Sequence, residues 1–149
     1  MLWQDGKGKF PLAYEEVAQG ASENNNAIEL HLQVGPEAVL KYDGVAILDI
    51  IGQIAYTSAF QTLRTEEQLG YIVSAYPRSV TGGSHGFSVV VQSSSKLPHE
   101  LEERCEAWLI KFRQELNDMT DNDISAAAGA VVSQLLERDT RFSQEVSRM

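Results

Sequence analysis

Polar and apolar residues alternate from Ala27 to Val34. Ile28, Leu30 and Leu32 fall on one side, and Glu29, His31 and Gln33 on the other. That period of two predicts a half-buried strand, stopped by Gly35-Pro36. From about Leu40 to Leu63 the period changes. Ile47, Ile50, Ile51, Ile54, Ala55 and Ser58 recur at three and four residues. The pattern predicts a helix, mostly buried because Ile47 to Ile54 is apolar nearly all round. Thr65-Glu66-Glu67-Gln68 has the form of a capping box, with Thr65 as N-cap and Gln68 three residues on. It predicts a short second helical turn closed by Gly70 in a left-handed conformation.

Tyr71 to Val80 and Gly86 to Ser93 read as two further strands, joined across Thr81-Gly82-Gly83-Ser84-His85 as a hairpin. Phe87, Val89 and Val91 share one face of the second. Pro98 opens a helix whose apolar stripe is Leu101, Cys105, Trp108, Leu109, Phe112 and Leu116. Thr120, with Asp123 three residues later, starts a last helix that runs to about Glu137. The order is strand, helix, strand, strand, helix, helix. It predicts an α+β fold, an antiparallel sheet with helices packed on one face. Residues 1–26, rich in Gly, Asn and charge, read as a loose N-terminal lead-in with room for one short strand. The domain is expected over 27–149. Its polar end, Arg138 to Met149, lacks a closing element, so a truncated domain is expected there.

The chain has 149 residues, 43% hydrophobic and 22% charged, a composition that suits one globular domain and excludes wholesale disorder. A single cysteine, Cys105, excludes a disulfide scaffold and a Cys-rich zinc module. No apolar run is long enough to span a membrane. Met1 to Lys9 shows no apolar leader, and with one cysteine this leads to the expectation of a cytoplasmic protein. Net charge is −9. No nucleic-acid partner is expected, because phosphate attraction needs a basic surface. The charge is uneven. Residues 1–61 carry eight acids and three bases, and residues 99–149 carry eleven and six; the middle carries Glu66 and Glu67 against Arg64, Arg78 and Lys96.

Candidate chemistry is sparse. His99-Glu100-Leu101-Glu102-Glu103 falls short of a zinc-protease helix, since Glu103 stands where the second histidine is needed, and the inverted His-x-x-Glu-His is absent. His31 on a polar strand face and His85 in a turn are expected to be exposed and inert. Cys105 lies on an apolar stripe with no basic neighbour, so a structural thiol is expected. Ser93-Ser94-Ser95 lacks a nucleophile elbow, and Gly82-Gly83 lacks the features of a phosphate loop. No catalytic set stands in this chain. The segment Phe60 to Val73 stands out: helix, turn, glycine and strand follow without slack. Arg64 at one end and Tyr71 at the other could offer a guanidinium and a phenol to one peptide carbonyl. Spacing alone equally allows Arg64 to pair with Glu66 or Glu67 while Tyr71 packs with its hydroxyl at the surface, and that is the simpler reading.

The run Leu63-Arg64-Thr65-Glu66-Glu67-Gln68-Leu69-Gly70-Tyr71 resembles the signature of the insulysin/pitrilysin family of zinc metallopeptidases. Tyr76-Pro77-Arg78, Gly82-Gly83, Phe87 through Ser93, the Pro98 helix with Glu103-Arg104, and Met119-Thr120 follow the same course. The resemblance covers roughly residues 25 to 145. It implies a clamshell enzyme of two halves, each built from two related α+β domains. The chain is similar to the first domain of the second, non-catalytic half. It implies that zinc belongs to the parent enzyme and is not bound by this chain, and that peptide substrates and the zinc-bearing N-terminal half are the partners. It further implies that Arg64 and Tyr71 contact substrate near the scissile bond, supported by Thr65, Glu67, Gln68 and Gly70. The alternative is a non-catalytic homologue serving as a scaffold or peptide-binding subunit. An incomplete domain exposes apolar faces and sheet edges, so homo-oligomers are also expected.

Overall fold

The computed structural model describes residues 25–80 and 82–137. The lead-in before Asn25, Thr81 of the hairpin, and the tail Arg138 to Met149 lie outside the described residues. The elements are β1 (Asn26–Pro36), α1 (Glu37–Ala59), a π-helical segment (Phe60–Glu66), β2 (Ile72–Val80), β3 (Ser84–Ser93), α2 (Pro98–Asp118) and α3 (Asp121–Leu136). The predicted order of strands and helices holds. The sheet is antiparallel, in the order β1-β3-β2.

Register puts the apolar positions of the three strands into rungs. Ile28, Val91 and Val73 form one, Leu30, Val89 and Ala75 the next, and Leu32, Phe87 and Pro77 the third. A side-chain period of two sends each rung to the same face. On that face Val73, Ala75, Phe87, Val89 and Val91 join Leu48, Ala55 and Ala59 of α1 and Leu101, Cys105, Trp108 and Phe112 of α2 in one core. Trp108 and Phe112 stack with ring centroids 5.1 Å apart. The indole Nε1–H of Trp108 donates to Ser58 Oγ at 3.1 Å, and Ser58 in turn donates to Glu115 Oε2 at 2.6 Å. A buried polar atom is thereby satisfied through to a half-exposed carboxylate. The other sheet face is polar, with Glu29 bonded to Arg78 and to Ser88. The Arg78 guanidinium and the Ser88 hydroxyl hold the Glu29 carboxyl below the usual carboxylate range.

The α2 stripe and the α3 start follow the sequence pattern. Glu100 Oε2 accepts from the Leu97 N–H at 2.8 Å, and this bond lowers its pKa. Thr120 Oγ1 accepts from the Asp123 N–H while Asp123 Oδ2 accepts from the Thr120 N–H, a reciprocal cap. α1 departs from expectation. Its regular course is broken at Lys41, which has φ 56°, and Ile47 is 57% exposed rather than buried. The buried seam is Leu48, Gly52, Ala55 and Ala59, mostly small residues. A helix laid on a sheet buries one stripe, and here that stripe is made for close approach. α3 lies against α1 with no residue fully buried, and it leaves Ile124, Val132, Leu135 and Leu136 exposed.

Two glycine replacements should act with opposite sign. A Cβ at Gly52 would overlap the Pro77 ring, which cannot swing away, so Gly52→Ala should cost about 1–3 kcal/mol. A Cβ at Gly129 in α3 meets nothing, so Gly129→Ala should gain about 0.5–1 kcal/mol from lost unfolded-state freedom. Urea melts of the two variants check both signs.

Candidate functional site

The segment after α1 does not end in a cap. Phe60–Glu66 continues the helix as a π turn, in which the Glu67 N–H reaches Thr62 O at 2.9 Å. Thr65 lies inside this turn and its hydroxyl donates to Phe60 O at 3.3 Å. The expected capping box at Thr65 and Gln68 is therefore absent, as is the short helix it was to start. With the helix still running, Thr65 is not at a helix start: the Glu67 N–H is already bonded to Thr62 O, and the Thr65 hydroxyl is turned back to Phe60 O. Gln68, not Gly70, takes the left-handed conformation, with φ 52°. The chain then turns back so that the Leu69 N–H donates to Leu63 O at 3.0 Å, and both leucines are buried. Gly70 is needed for a different reason than expected: a Cβ there would run into the Gln92 carbonyl of β3.

This geometry brings Arg64 and Tyr71 together. The Arg64 guanidinium lies over the Phe60 ring, 4.7 Å from its centroid, and over the Tyr71 ring at 5.3 Å. Tyr71 is 82% exposed, in the bend just before β2. The ion pair that spacing alone allowed is not formed. Glu67 binds Arg104 of α2 through both oxygens, with Nε and Nη2 each donating at 2.7 Å. The pair raises the Arg104 pKa. Glu66 accepts from Gln61 and lies 3.8 Å from Lys111 Nζ. Lys111 also donates to the buried Thr62 hydroxyl at 3.2 Å. Among the described residues no carboxylate pairs with Arg64. The contacts of Phe60 with Arg64 and of Arg104 with Glu67 escaped the sequence reading, though both residues lie in stretches it singled out. Phe60 stands four residues before Arg64, a spacing that was visible; Arg104 stands 37 residues from Glu67 and left no local signal.

A groove of about 510 Å³ opens behind the π turn, lined by Gln53, Thr57, Gln61, Glu66, Lys111 and Ala127 among others. It lies apart from Arg64 and Tyr71, which do not line it. The histidines do not meet. His31 Nδ1 is bonded to Ser88 Oγ at 2.9 Å, and His99 is exposed in the first turn of α2. His85, expected in an exposed turn, instead sits in β3, with Nδ1 bonded to Ser79 Oγ at 3.0 Å and a buried, unpartnered Nε2. The strand begins two residues earlier than the pattern indicated. The Asp49 carboxyl of α1 is raised in pKa by burial, against the pull of His85. Burial pushes the Cys105 thiol up to about 11, which leaves it protonated and structural. Among the described residues no group of three or more His, Cys, Asp or Glu could hold a metal ion.

A family model described as "PQQ synthase PqqF-like, C-terminal lobe domain 4" matches residues 50–149. A nardilysin-like protein of Arabidopsis thaliana is 33% identical over 142 residues, covering 93% of this chain and 14% of the relative. The insulin-degrading enzyme of Homo sapiens is 34% identical over 125 residues, covering 84% and 12%. The crystal structure of pitrilysin superposes with a TM-score of 0.71 at 31% identity, over 85% of this chain and 13% of that one. The chain belongs to the insulysin/pitrilysin family. Its homologues are zinc metallopeptidases of that family, and it corresponds to part of the C-terminal lobe. It spans about one seventh, or less, of the length of the relatives it matches. The resemblance pointed to the first domain of the second half; the matched description, domain 4, places it in the second.

Two measurements probe the local physics. Gly70→Ala should destabilise the chain by about 1–3 kcal/mol or more, because backbone rather than a pliable side chain stands in the way. Its thermal midpoint should fall, while Gly82→Ala, where a Cβ meets nothing but φ is +102°, should show only the milder backbone strain. Asp49 holds its proton more tightly folded than unfolded, so its ionisation weakens the fold as pH rises through and above the ordinary value of 3.8. Asp49→Asn should therefore stabilise the chain at pH 7, with the gain vanishing below that value, as read from urea melts across pH.

Proposed function

We propose that this chain is the part of a zinc metalloendopeptidase that faces the zinc-bearing half across the substrate chamber. Arg64 and Tyr71 contact the bound peptide beside the scissile bond. The observation that carries this is the state of Arg64. Its guanidinium is held by two aromatic faces and by no carboxylate among the described residues, so the N–H groups at its edge remain to be used. A peptide carbonyl is the natural acceptor, since it offers two lone pairs to a planar fork of donors. The Tyr71 hydroxyl, exposed beside it, donates to a second oxygen. Such donors fix the register of a substrate, and one aimed at a developing oxyanion stabilises charge where the transition state carries it.

Zinc and its ligands lie with the other half in this reading. This chain supplies no metal ligand and no general base. By itself it is expected to cleave no peptide, with or without added zinc. The scaffold alternative has less in its favour, because a scaffold has no use for a guanidinium kept clear of neighbouring acids.

The test places the segment in a working enzyme. Residues 26–137 replace the matching segment of pitrilysin, and zinc content and a cooperative melt confirm that the chimera is loaded and folded. Arg64→Ala should lower kcat/KM about 10- to 100-fold, the scale of a hydrogen bond to a charged group. Tyr71→Phe should lower kcat about 100-fold, the scale of one lost oxyanion donor. Unchanged kinetics in both variants of a folded chimera would remove the assigned role.

A further inference from the structure

The geometry points to Phe60 as a positioning residue for Arg64: its ring is the platform that holds the guanidinium in place while Tyr71 serves the substrate. The inference deepens the proposed function and rests on the reading that Arg64 meets substrate. Two rings touch Arg64, and they are not equivalent. The Phe60 centroid lies 4.7 Å from the guanidinium carbon, and the Tyr71 centroid 5.3 Å. Phe60 is half-buried, at the first residue of the π segment that continues α1. Its carbonyl is tied by the Thr65 hydroxyl. On helical backbone the choice of χ1 is narrow. Tyr71 is 82% exposed, in the bend before β2.

The place of Phe60 in the fold is the second observation. Its neighbours Ala59 and Leu63 are buried in the core. Phe60 belongs neither to that core nor to the partly buried apolar residues packed against it. Core packing therefore does not account for this large ring, whereas the guanidinium over its face does. Phenylalanine suits the task. It attracts a cation through its face and carries no acceptor that would take up the N–H groups at the edge. Tyr71 is asked for two things at once, a ring against Arg64 and a hydroxyl for substrate. If its hydroxyl turns to a substrate oxygen, Phe60 still holds the guanidinium.

Side-chain NMR of the full chain reads the platform directly, with the Arg64 signals assigned by their loss in Arg64→Ala. Lying over two rings, the Arg64 side-chain protons should resonate upfield of ordinary arginine values. Phe60→Leu keeps an apolar side chain, removes the ring and should move them most of the way back. Phe60→Tyr keeps the ring and should retain the shift. Tyr71→Leu removes the farther, exposed ring and should move them less than Phe60→Leu. Because Phe60 lies outside the core, Phe60→Leu should melt close to the parent chain. Arg64 signals unmoved by Phe60→Leu, or moved more by Tyr71→Leu, would overturn the proposal, and so would a Phe60→Leu chain that fails to fold.

In the pitrilysin chimera Phe60→Leu should raise KM about fivefold, the scale of an exposed cation–π contact, with kcat little changed. Phe60→Tyr should bring KM back. Since Phe60 acts through Arg64, adding Phe60→Leu to Arg64→Ala should cost nothing further. A ring that merely props the turn predicts otherwise: the double variant would be worse than Arg64→Ala alone, and that result removes the positioning role. A chimera indifferent to Arg64→Ala removes the proposed function and leaves the NMR result standing. A chimera sensitive to Arg64→Ala but indifferent to Phe60→Leu removes the positioning role alone.

Discussion

The closeness of Gly70 to β3 sets the geometry of everything around Arg64. The backbone after the π turn passes so near the Gln92 carbonyl that no side chain fits between them. Leu69, one residue before, is driven into the core, and Ile72, two residues after, pairs with Gln92 to begin β2. Tyr71 falls between a buried anchor and a paired strand, with no inward space, so its ring stands out beside Arg64. The left-handed turn at Gln68 is the strained step that makes this reversal possible. A non-glycine residue there costs on the order of 1 kcal/mol, which burial of Leu63 and Leu69 offsets.

Charge acts here through partners rather than totals. The middle of the chain has nearly balanced acids and bases, so its linear count suggests little. Folding changes the balance locally. Glu67 is taken up by Arg104 and Glu66 lies near Lys111, both from the strongly acidic α2 region. Two bases of the acidic segment thus stand by the two acids of the central one, and among the described residues no acid pairs with Arg64.

The parts of the fold legible in the sequence are those set by contacts within a few residues. Alternation in β1, the Leu101-to-Phe112 stripe of α2 and the Thr120–Asp123 cap depend on spacing, and each forms, although β1 runs past a bulge and through Gly35-Pro36, expected to end it, because both residues pair with β3. Thr65 to Gln68 shows the limit. Its residues follow the pattern of the Thr120 to Asp123 cap, but a capping side chain acts at the first turn of a helix, and here Thr65 lies inside a helix that continues from α1 as the π turn. Gly70 was legible as a constraint but not as which one, because a left-handed turn and a close backbone approach both call for the same residue. His85 was misplaced because β3 extends past its apolar run on pairing with Ser79 and Gly35, which no local period reports. The Arg64–Tyr71 pairing was suggested by resemblance; the Phe60 ring beneath Arg64 depends on stacking, and the Arg104–Glu67 pair on a contact across 37 residues.

Stacking and ion pairing restrain an arginine in opposite ways. A carboxylate binds the edge of the guanidinium and consumes its donors in pairs, leaving the faces free. Aromatic rings bind the faces and leave the five N–H groups in the plane untouched. The two restraints place the same atoms, but only the second leaves them able to bind something else. Two rings also narrow the rotamers of a long side chain before any ligand arrives, so less freedom is lost on binding. A site that binds through its arginine is therefore better built from aromatic faces, as Phe60 and Tyr71 are placed here, than from a carboxylate.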